Sequence, residues 1–375
     1  MGEDAWKTEK VENDLMARAV ALSLKAEGFT APNPVVGCVI AADGEIIGEG
    51  YHRGPGTPHA EVDALNAAGA AANGASAYVT LEPCNHHGAT PPCVDALIKA
   101  GVAEVIYAVA DPNPIASGGA RRLEKAGIKT RQGIGHDLAS EANRFWLHRI
   151  THGRPFVIAK FAMSLDGKIA THSGESQWIT GPKSREQGHR LRQLSDVIIV
   201  GAGTIEVDDP SLTVRYNIDT PAHPLRVVLD SKGRTSPHAR VYEQIGAGAV
   251  LVCTDEAPPS RLDEFRTNGI EPLILEKNDA KRPDLHALLS SLAARGVNSI
   301  MIEGGAETLG SFFDARLVDE VWAFIAPVVI GGDGKMPVGG TGAATIPQAL
   351  RLHDVTTKRL GDDLFMRGKA KGRTA

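Results

Sequence analysis

One imidazole, one carboxylate and two thiols lie within a short stretch of this chain, and together they could carry out metal-assisted hydrolysis. The stretch opens with Thr57-Pro58-His59-Ala60-Glu61-Val62 and closes with Leu81-Glu82-Pro83-Cys84, eight further residues and Cys93. Imidazole nitrogen and thiolate sulfur are zinc ligands, and three of them leave the fourth tetrahedral position to water, which distinguishes a catalytic site from a structural one. Water bound there has its pKa lowered to about 7, so hydroxide becomes available near neutral pH. Glu61, a carboxylate that need not bind the metal, can take that proton and hand it to a leaving amine. A lone cysteine is more often a small buried hydrophobe than a ligand. The combination of His59, Glu61, Cys84 and Cys93 outweighs that reading. His86 and His87 are alternative ligands by chemistry alone.

Ordered elements must present these groups. The run Ala77–Leu81 reads as a strand that delivers Cys84 to a turn after Pro83. His59 precedes an apolar-periodic helix, Val62–Ala72, and Cys93 opens a helix that reaches Ala100. The positive ends of helices favour thiolate and bound hydroxide, so both placements suit the site. Around them the spacing predicts a helix over Val11–Glu27 stopped by Gly28, a hairpin of Val35–Ala42 and Ile46–His52 turning at Asp43-Gly44, a strand over Ala103–Ala110, a helix over Gly119–Ala126, extended chain over Ile128–Gly133 and a last helix over Asp137–Ile150. Helices alternating with strands imply a mixed sheet covered on both faces. The polar residues 1–10 are expected to be a disordered tail.

Thr151-His152-Gly153-Arg154-Pro155 breaks the pattern, and the chain is too long for one ordinary core at 375 residues. The expected division is a metal-site domain over 11–150, a linker over 151–154 and a second α/β domain over 155–370. The second half restarts with the strand Phe156–Ala162 and continues with a helix over Ser184–Leu194 and strands at Asp196–Val200, Leu225–Asp230, Ala249–Cys253, Glu271–Leu275, Ser299–Ile302 and Val321–Ile330. Further helices are expected near Arg261–Thr267 and Leu285–Arg295, with a closing hairpin over Leu352–Met366. Two glycine-bearing turns, Gly201–Thr204 and Gly304–Thr308, stand between a strand and a helix, where backbone N–H groups can approach a phosphate. The G-x-G-x-x-G fingerprint and the Walker A pattern are both absent, so neither turn is an ordinary dinucleotide or nucleotide loop.

The net charge of −5 and pI near 6.2 argue against a general nucleic-acid binder, though not against a local pocket for one phosphate. Cys38, Cys84, Cys93 and Cys253 do not form a disulfide framework, which points to a reducing compartment, the cytoplasm. The start of the chain lacks the apolar run of a secretory signal, and no uncharged apolar run is long enough to span a bilayer.

The cysteine spacing narrows the family. Zinc deaminases of nucleic acids and free bases share the H-x-E…P-C pattern but space their cysteines C-x-x-C. Here the spacing is C-x8-C. With Pro32-Asn33-Pro34-Val35-Val36-Gly37, His59-Ala60-Glu61-Val62, Thr80-Leu81-Glu82-Pro83-Cys84-Asn85-His86-His87-Gly88 and Pro91-Pro92-Cys93, the first half resembles the deaminase half of the bifunctional riboflavin-biosynthesis deaminase–reductases. The resemblance continues through Ala162–Lys168, Gly174-Glu175-Ser176-Gln177-Trp178-Ile179-Thr180, Gly203-Thr204, Asp208-Asp209-Pro210, Leu212-Thr213-Val214-Arg215 and Glu303-Gly304-Gly305, which look like the reductase half.

That resemblance implies a cytidine-deaminase-like αβα domain, with one Zn2+ held by His59, Cys84 and Cys93 and Glu61 as proton shuttle. It implies a second domain similar in fold to dihydrofolate reductase that uses NADPH. The nucleotide contacts would fall on Ala162, Trp178, Thr204, Asp208, Ser231 and the turn Gly305, Ala306, Glu307, Thr308, Leu309, Gly310 and Ser311. The substrate contacts would fall on Ser176, Arg192, Leu212, Arg215 and Glu303. Arg192 and Arg215 could grip a phosphate bidentately, and Ser231, Lys232 and Arg234 could receive a 2′-phosphate. The implied partner is a small phosphorylated pyrimidine, with no nucleic acid and no membrane; a homo-oligomer is left open. Two rivals remain. One is a nucleoside or RNA deaminase with an unrelated C-terminal binding module. The other is a structural zinc scaffold, which needs a closed four-ligand site.

Overall fold

A computed structural model describes residues 3–88, 90–215 and 222–370. The chain divides into two compact units, Met1–Gly153 and Arg154–Ala375.

The first unit is a sheet between two helical layers. In chain order it runs α1 (Glu3–Ser23), β1 (Gly37–Ala42), β2 (Glu45–Tyr51), α2 (Ala60–Ala68), β3 (Ser76–Leu81), α3 (Cys93–Ala100), β4 (Glu104–Val109), α4 (Gly119–Lys125), β5 (Lys129–Gln132), α5 (His136–Ala142) and α6 (Arg144–His152). The strand order is β2-β1-β3-β4-β5. β1 is antiparallel to both neighbours, and β3, β4 and β5 are parallel. Alternation along β1 assigns the faces. Cys38 and Ile40 pack with Ala64, Val94 and Leu123, whereas Val39 and Ala41 pack with Met16, Ala139 and Trp146. Cys38 is therefore part of the core.

Two expectations change. α1 begins at Glu3, so residues expected in a disordered tail are helical from the third onward; Glu, Ala and Lys are good helix formers and dominate that start. The single last helix is two, broken at Asn143, whose buried side chain accepts from Val35 N–H at 2.9 Å and donates to Val35 O at 2.7 Å. That pairing competes with helix continuation.

The second unit contains β6 (Phe156–Ser164), α7 (Pro182–Leu194), β7 (Val197–Gly201), α8 (Ala202–Asp208), β8 (Leu225–Leu229), β9 (Ala249–Cys253), α9 (Pro259–Thr267), β10 (Pro272–Ile274), α10 (Leu285–Ala294), β11 (Ser299–Ile302), α11 (Ala306–Asp314), β12 (Glu320–Ala326), β13 (Leu352–Leu360) and β14 (Asp363–Ala370). They form one nine-stranded sheet, ordered β10-β9-β8-β7-β11-β6-β12-β14-β13. Pairing is parallel from β10 through β12. The closing hairpin of β13 and β14 joins antiparallel. β12 ends at Ala326, short of Ile330. The central strands are apolar on both faces, as Val157, Ile158, Ile198, Ile199, Ile300 and Met301 are all fully buried, which is the pattern of a parallel sheet covered twice. In such a sheet ligands collect beyond the carboxyl ends of the strands. Gly201, Ser231 and Glu303 follow or close β7, β8 and β11 at that edge.

Candidate functional site

In the first unit, glycines set the approach of the helix that carries the site. A Cβ on Gly50 would meet the Ala60 carbonyl oxygen at 2.4 Å, and one on Gly48 would meet that of Ala64 at 2.4 Å. Only glycine lets β2 lie this close to α2. His59 caps α2 with extended backbone, and Glu61 sits in its first turn. Cys84 follows β3, and Cys93 is the first residue of α3. Their ligand atoms all lie within 4.8 Å of one another. His59 Nδ1 is 3.0 Å from Cys93 Sγ and 3.5 Å from Cys84 Sγ. The Cys93 N–H donates to Cys84 Sγ at 3.3 Å.

The donor set fits zinc. Hydrogen bonds from the Cys93 thiol, from His59 and from the Cys93 amide hold the Cys84 thiol well below its usual range, while the Cys84 pairing and burial hold Cys93 high. Protein groups alone thus favour the thiolate at Cys84, and a dication among the three residues would favour it at both sulfurs. His86 and His87 lie outside this cluster. Glu61 is 3% exposed, and burial first, then the Cys84 charge, pushes its carboxyl up to about 6. A carboxyl poised near neutrality can both accept and return a proton.

Several neighbours escaped the sequence reading. Thr90 Oγ1 lies 3.3 Å from His59 Nε2 and fixes the ring from behind. His52 stands edge-on to His59 at 5.3 Å between centroids and meets Asn33 at 3.0 Å. Glu82, seen only as part of a motif, accepts from the N–H groups of Asp111, Gly118 and Ala120, and so ties the end of β3 to the loop that starts α4.

The second unit holds a cleft of about 1050 Å3 at the carboxyl ends of its strands. Ser176, Thr204, Asp208, Ser231, Gly305, Ala306, Glu307, Thr308 and Ser311 line it, together with Lys232 and Arg234. Gly203 faces open space, so the turn after β7 leaves room for a ligand against its backbone. Gly305 begins the turn into α11, and its Cβ would sit 3.2 Å from Thr204 Oγ1. The two glycine turns expected from sequence therefore meet in one place. This cradle is compatible with an extended phosphorylated nucleotide.

Other predicted contacts lie elsewhere. Leu309 is 2% exposed in the core beneath α11, and Gly310 packs against the Gly339 backbone. Helical periodicity turns these two inward while their neighbours face the cleft. Ala162 pairs with Phe324 inside the sheet, and Trp178 stands 70% exposed beneath the Arg185 guanidinium, 4.7 Å from its ring centroid; neither lines the cleft. Leu212 is buried, at a positive φ of 52° that turns the chain toward Arg215.

The two arginines expected to grip a phosphate differ in their partners. Arg192 Nε and Nη2 both bond Glu303, each at 2.8 Å, and Nη1 bonds Thr213 O at 2.9 Å. Three of its five N–H groups are thus engaged within the protein. Arg215 instead makes one side-chain bond, to Ser211 Oγ at 2.8 Å. Lys160, the single charge in an otherwise apolar β6, was missed; its Nζ is 3.2 Å from Glu303 Oε1. Burial raises the Glu303 carboxyl, but Arg192 and Lys160 overcome that and hold it down to about 2.

Residues 9–109 match the family described as the cytidine and deoxycytidylate deaminase zinc-binding region, and residues 155–366 match the RibD C-terminal domain. The chain is 42% identical to the riboflavin biosynthesis protein RibD of Escherichia coli over 351 residues, covering 90% of this chain and 92% of that one. It is 38% identical to RibD of Aquifex aeolicus over 95% of this chain and 98% of that one. Among solved structures, Acinetobacter baumannii RibD superposes with a TM-score of 0.88 at 37% identity, covering 97% of this chain and all of that one. A Thermotoga maritima diaminohydroxyphosphoribosylaminopyrimidine deaminase/5-amino-6-(5-phosphoribosylamino)uracil reductase superposes at 0.85 with 32% identity, covering 97% and 100%.

Fold, site and matches define a zinc-dependent deaminase continued by a reductase that uses a nicotinamide cofactor. The second half is therefore not an unrelated binding module, and the first is not a structural scaffold. The chain belongs to the RibD family, the bifunctional deaminase–reductases of riboflavin biosynthesis.

Proposed function

We propose that the first unit hydrolyses the 2-amino group of 2,5-diamino-6-ribosylamino-4(3H)-pyrimidinone 5′-phosphate, and that the second reduces the ribosyl chain of the product to ribityl with NADPH. The observation that carries the first step is the convergence of His59, Cys84 and Cys93 beside buried Glu61. His59, Cys84 and Cys93 would hold zinc, which would supply a water acidified to about pKa 7. The Glu61 carboxylate would take a proton from that water and return it to the departing amine. His52, held by Asn33, stands edge-on beside His59.

The second step rests on the cleft at the strand ends. NADPH would lie against Thr204, Ser231 and the turn from Gly305, and would supply hydride. Arg215 would meet the substrate phosphate, while Lys160, Arg192 and Glu303 form a fixed polar wall near the sugar. The activities for which the Thermotoga relative is named and the phosphate common to both steps support this substrate. All four cysteines are free thiols, which suits the cytoplasm. The test is incubation with the diamino substrate, with and without NADPH, followed by product mass. A gain of about one mass unit, amine replaced by hydroxyl oxygen, is read first, then a gain of two hydrogens on adding NADPH. Absence of the first change discards the deaminase substrate, and a second change equally fast with NADH discards the cofactor.

A further inference from the structure

The described residues that present Arg215, 209–215, form no strand or helix. Between α8 and β8 their backbone groups must find partners elsewhere, because a buried N–H or C=O without one is costly. They find them on side chains. The Arg215 N–H donates to His189 Nδ1 at 3.2 Å, and the Val214 N–H donates to His223 Nδ1 at 3.3 Å. The Thr213 carbonyl accepts from Arg192 at 2.9 Å. Beyond the segment, the Ala222 N–H donates to Gln193 Oε1 at 2.8 Å. His189, Arg192 and Gln193 stand at i, i+3 and i+4 of α7, hence on one face.

We propose that His189 is a positioning residue of the reductase site, holding the Thr213–Arg215 segment so that the Arg215 guanidinium is presented to the anionic end of the substrate. This rests on the reading of Arg215 as a substrate contact.

The choice of histidine has a physical reason. An imidazole nitrogen accepts a hydrogen bond only when the ring is neutral at that atom. Burial first, then the nearby Arg192 charge, with Arg215 and Lys160 adding to it against Glu303, brings the His189 pKa down to about 4. At neutral pH the ring therefore accepts at Nδ1 and carries its proton on Nε2. An aspartate would accept as well but would set a second negative charge next to the place where a phosphate must bind. A neutral acceptor fixes Arg215 without neutralising it. Arg215 is an exposed residue; partial burial of its head first, then the charges of Arg192 and Arg240 against that of Glu303, lower its pKa, so it gains from an incoming anion.

The test uses the full chain and compares the phosphorylated reductase substrate with the same compound lacking its phosphate. For H189L, KM for the phosphorylated substrate should rise about tenfold, with kcat and KM for NADPH within about threefold, and kcat/KM for the dephosphorylated compound unchanged. H189N, whose Oδ1 can stand where Nδ1 stood, should restore most of the loss. If the leucine variant does not fold, H189Q serves in its place as the graded version. In the R215A background H189L should cost nothing further, since it acts through a side chain already gone. Additive losses in the double variant, or equal losses on both substrates, overturn the positioning role while leaving Arg215 as a contact. If R215A alone leaves the preference for the phosphorylated substrate intact, the reading of Arg215 fails and the proposal falls with it.

Discussion

The two sites of this chain are built in opposite ways. The deaminase site gathers three ligands and a carboxylate from one 35-residue stretch, at two helix starts and one strand end, around a point smaller than 5 Å across. The second unit spreads its groups: a cleft of about 1050 Å3 is lined from the ends of β7 and β8, from α8 and from the turn into α11, and outside that lining Lys160 on β6, Arg192 on α7, Glu303 and an irregular segment are joined by side-chain bonds. A metal site demands particular atoms at bond length, so its residue types are close to compulsory. A nucleotide cleft demands shape, backbone N–H groups and a few charges, which many residues can supply. Function concentrated at a point is fragile to single changes, whereas function spread over a cleft degrades by parts.

The sharpest break of that comparison is at Glu61. Glu61→Gln keeps the shape and removes the proton relay, so deamination should fall by about three orders of magnitude or more, with zinc content and reduction of pre-deaminated substrate retained. Near-normal ammonia release by the variant would remove Glu61 from the mechanism. Next in size are the ligands. Cys84→Ala and Cys93→Ala should each lose most of the bound zinc on dialysis against a weak chelator, measured by elemental analysis, and with it the deamination. Full occupancy in either protein contradicts the three-ligand site.

An intermediate effect is expected at Glu303. Replacing it with glutamine leaves Arg192 and Lys160 without their shared anion; breaking a buried pair costs about 3–5 kcal/mol, read as a lowered unfolding midpoint of the second unit. The pH dependence has a definite sign. The folded carboxyl sits below its ordinary value of 4.5, at about 2, so its stabilisation is present above the ordinary value and disappears as pH falls from there toward about 2. Acid titration of stability in Glu303→Gln should be flatter across that window than in the parent. Parallel curves would show that the pairing contributes little.

What could be read from the sequence follows the same divide. His59, Glu61, Cys84 and Cys93 stood out because their types and spacing point to metal chemistry, and the αβα framework stood out because β1, β3 and β4 are mostly apolar, largely buried runs. The break at Asn143 did not, since it depends on Val35, far away in sequence. In the second unit the strand ends and glycine turns were legible, but facing was not: Leu309 and Gly310 share a turn with Thr308 and Ser311 yet point into the core. Arg192 looked like a free cation because its partner Glu303 lies on another strand end. Lys160 carried a weak signal, one charge in an apolar strand. His189 carried none, because its role is to hold a backbone amide that only the fold brings near.

The smallest effect concerns the cofactor's 2′-phosphate. Ser231, Lys232 and Arg234 follow β8 and line the cleft, as a 2′-phosphate pocket requires. Each cation already has a carboxylate nearby: Lys232 Nζ is 3.8 Å from Glu256, and Arg234 Nε is 3.1 Å from Glu206. Lys232 and Arg234 are 67% and 59% exposed, and such surface pairs are worth at most about 1 kcal/mol. The cations can therefore turn to a phosphate at little cost, but the two carboxylates lining the same cleft reduce the net attraction. We expect NADPH to be preferred over NADH by about tenfold, roughly 1.4 kcal/mol. Lys232→Ala with Arg234→Ala should shrink that ratio, and Glu256→Gln should enlarge it by removing the competitor. Added salt should weaken the preference in the parent more than in the double variant. If the ratio stays put in all three proteins, the 2′-phosphate is read elsewhere in the cleft, with Thr204 and Ser311 the next positions to change.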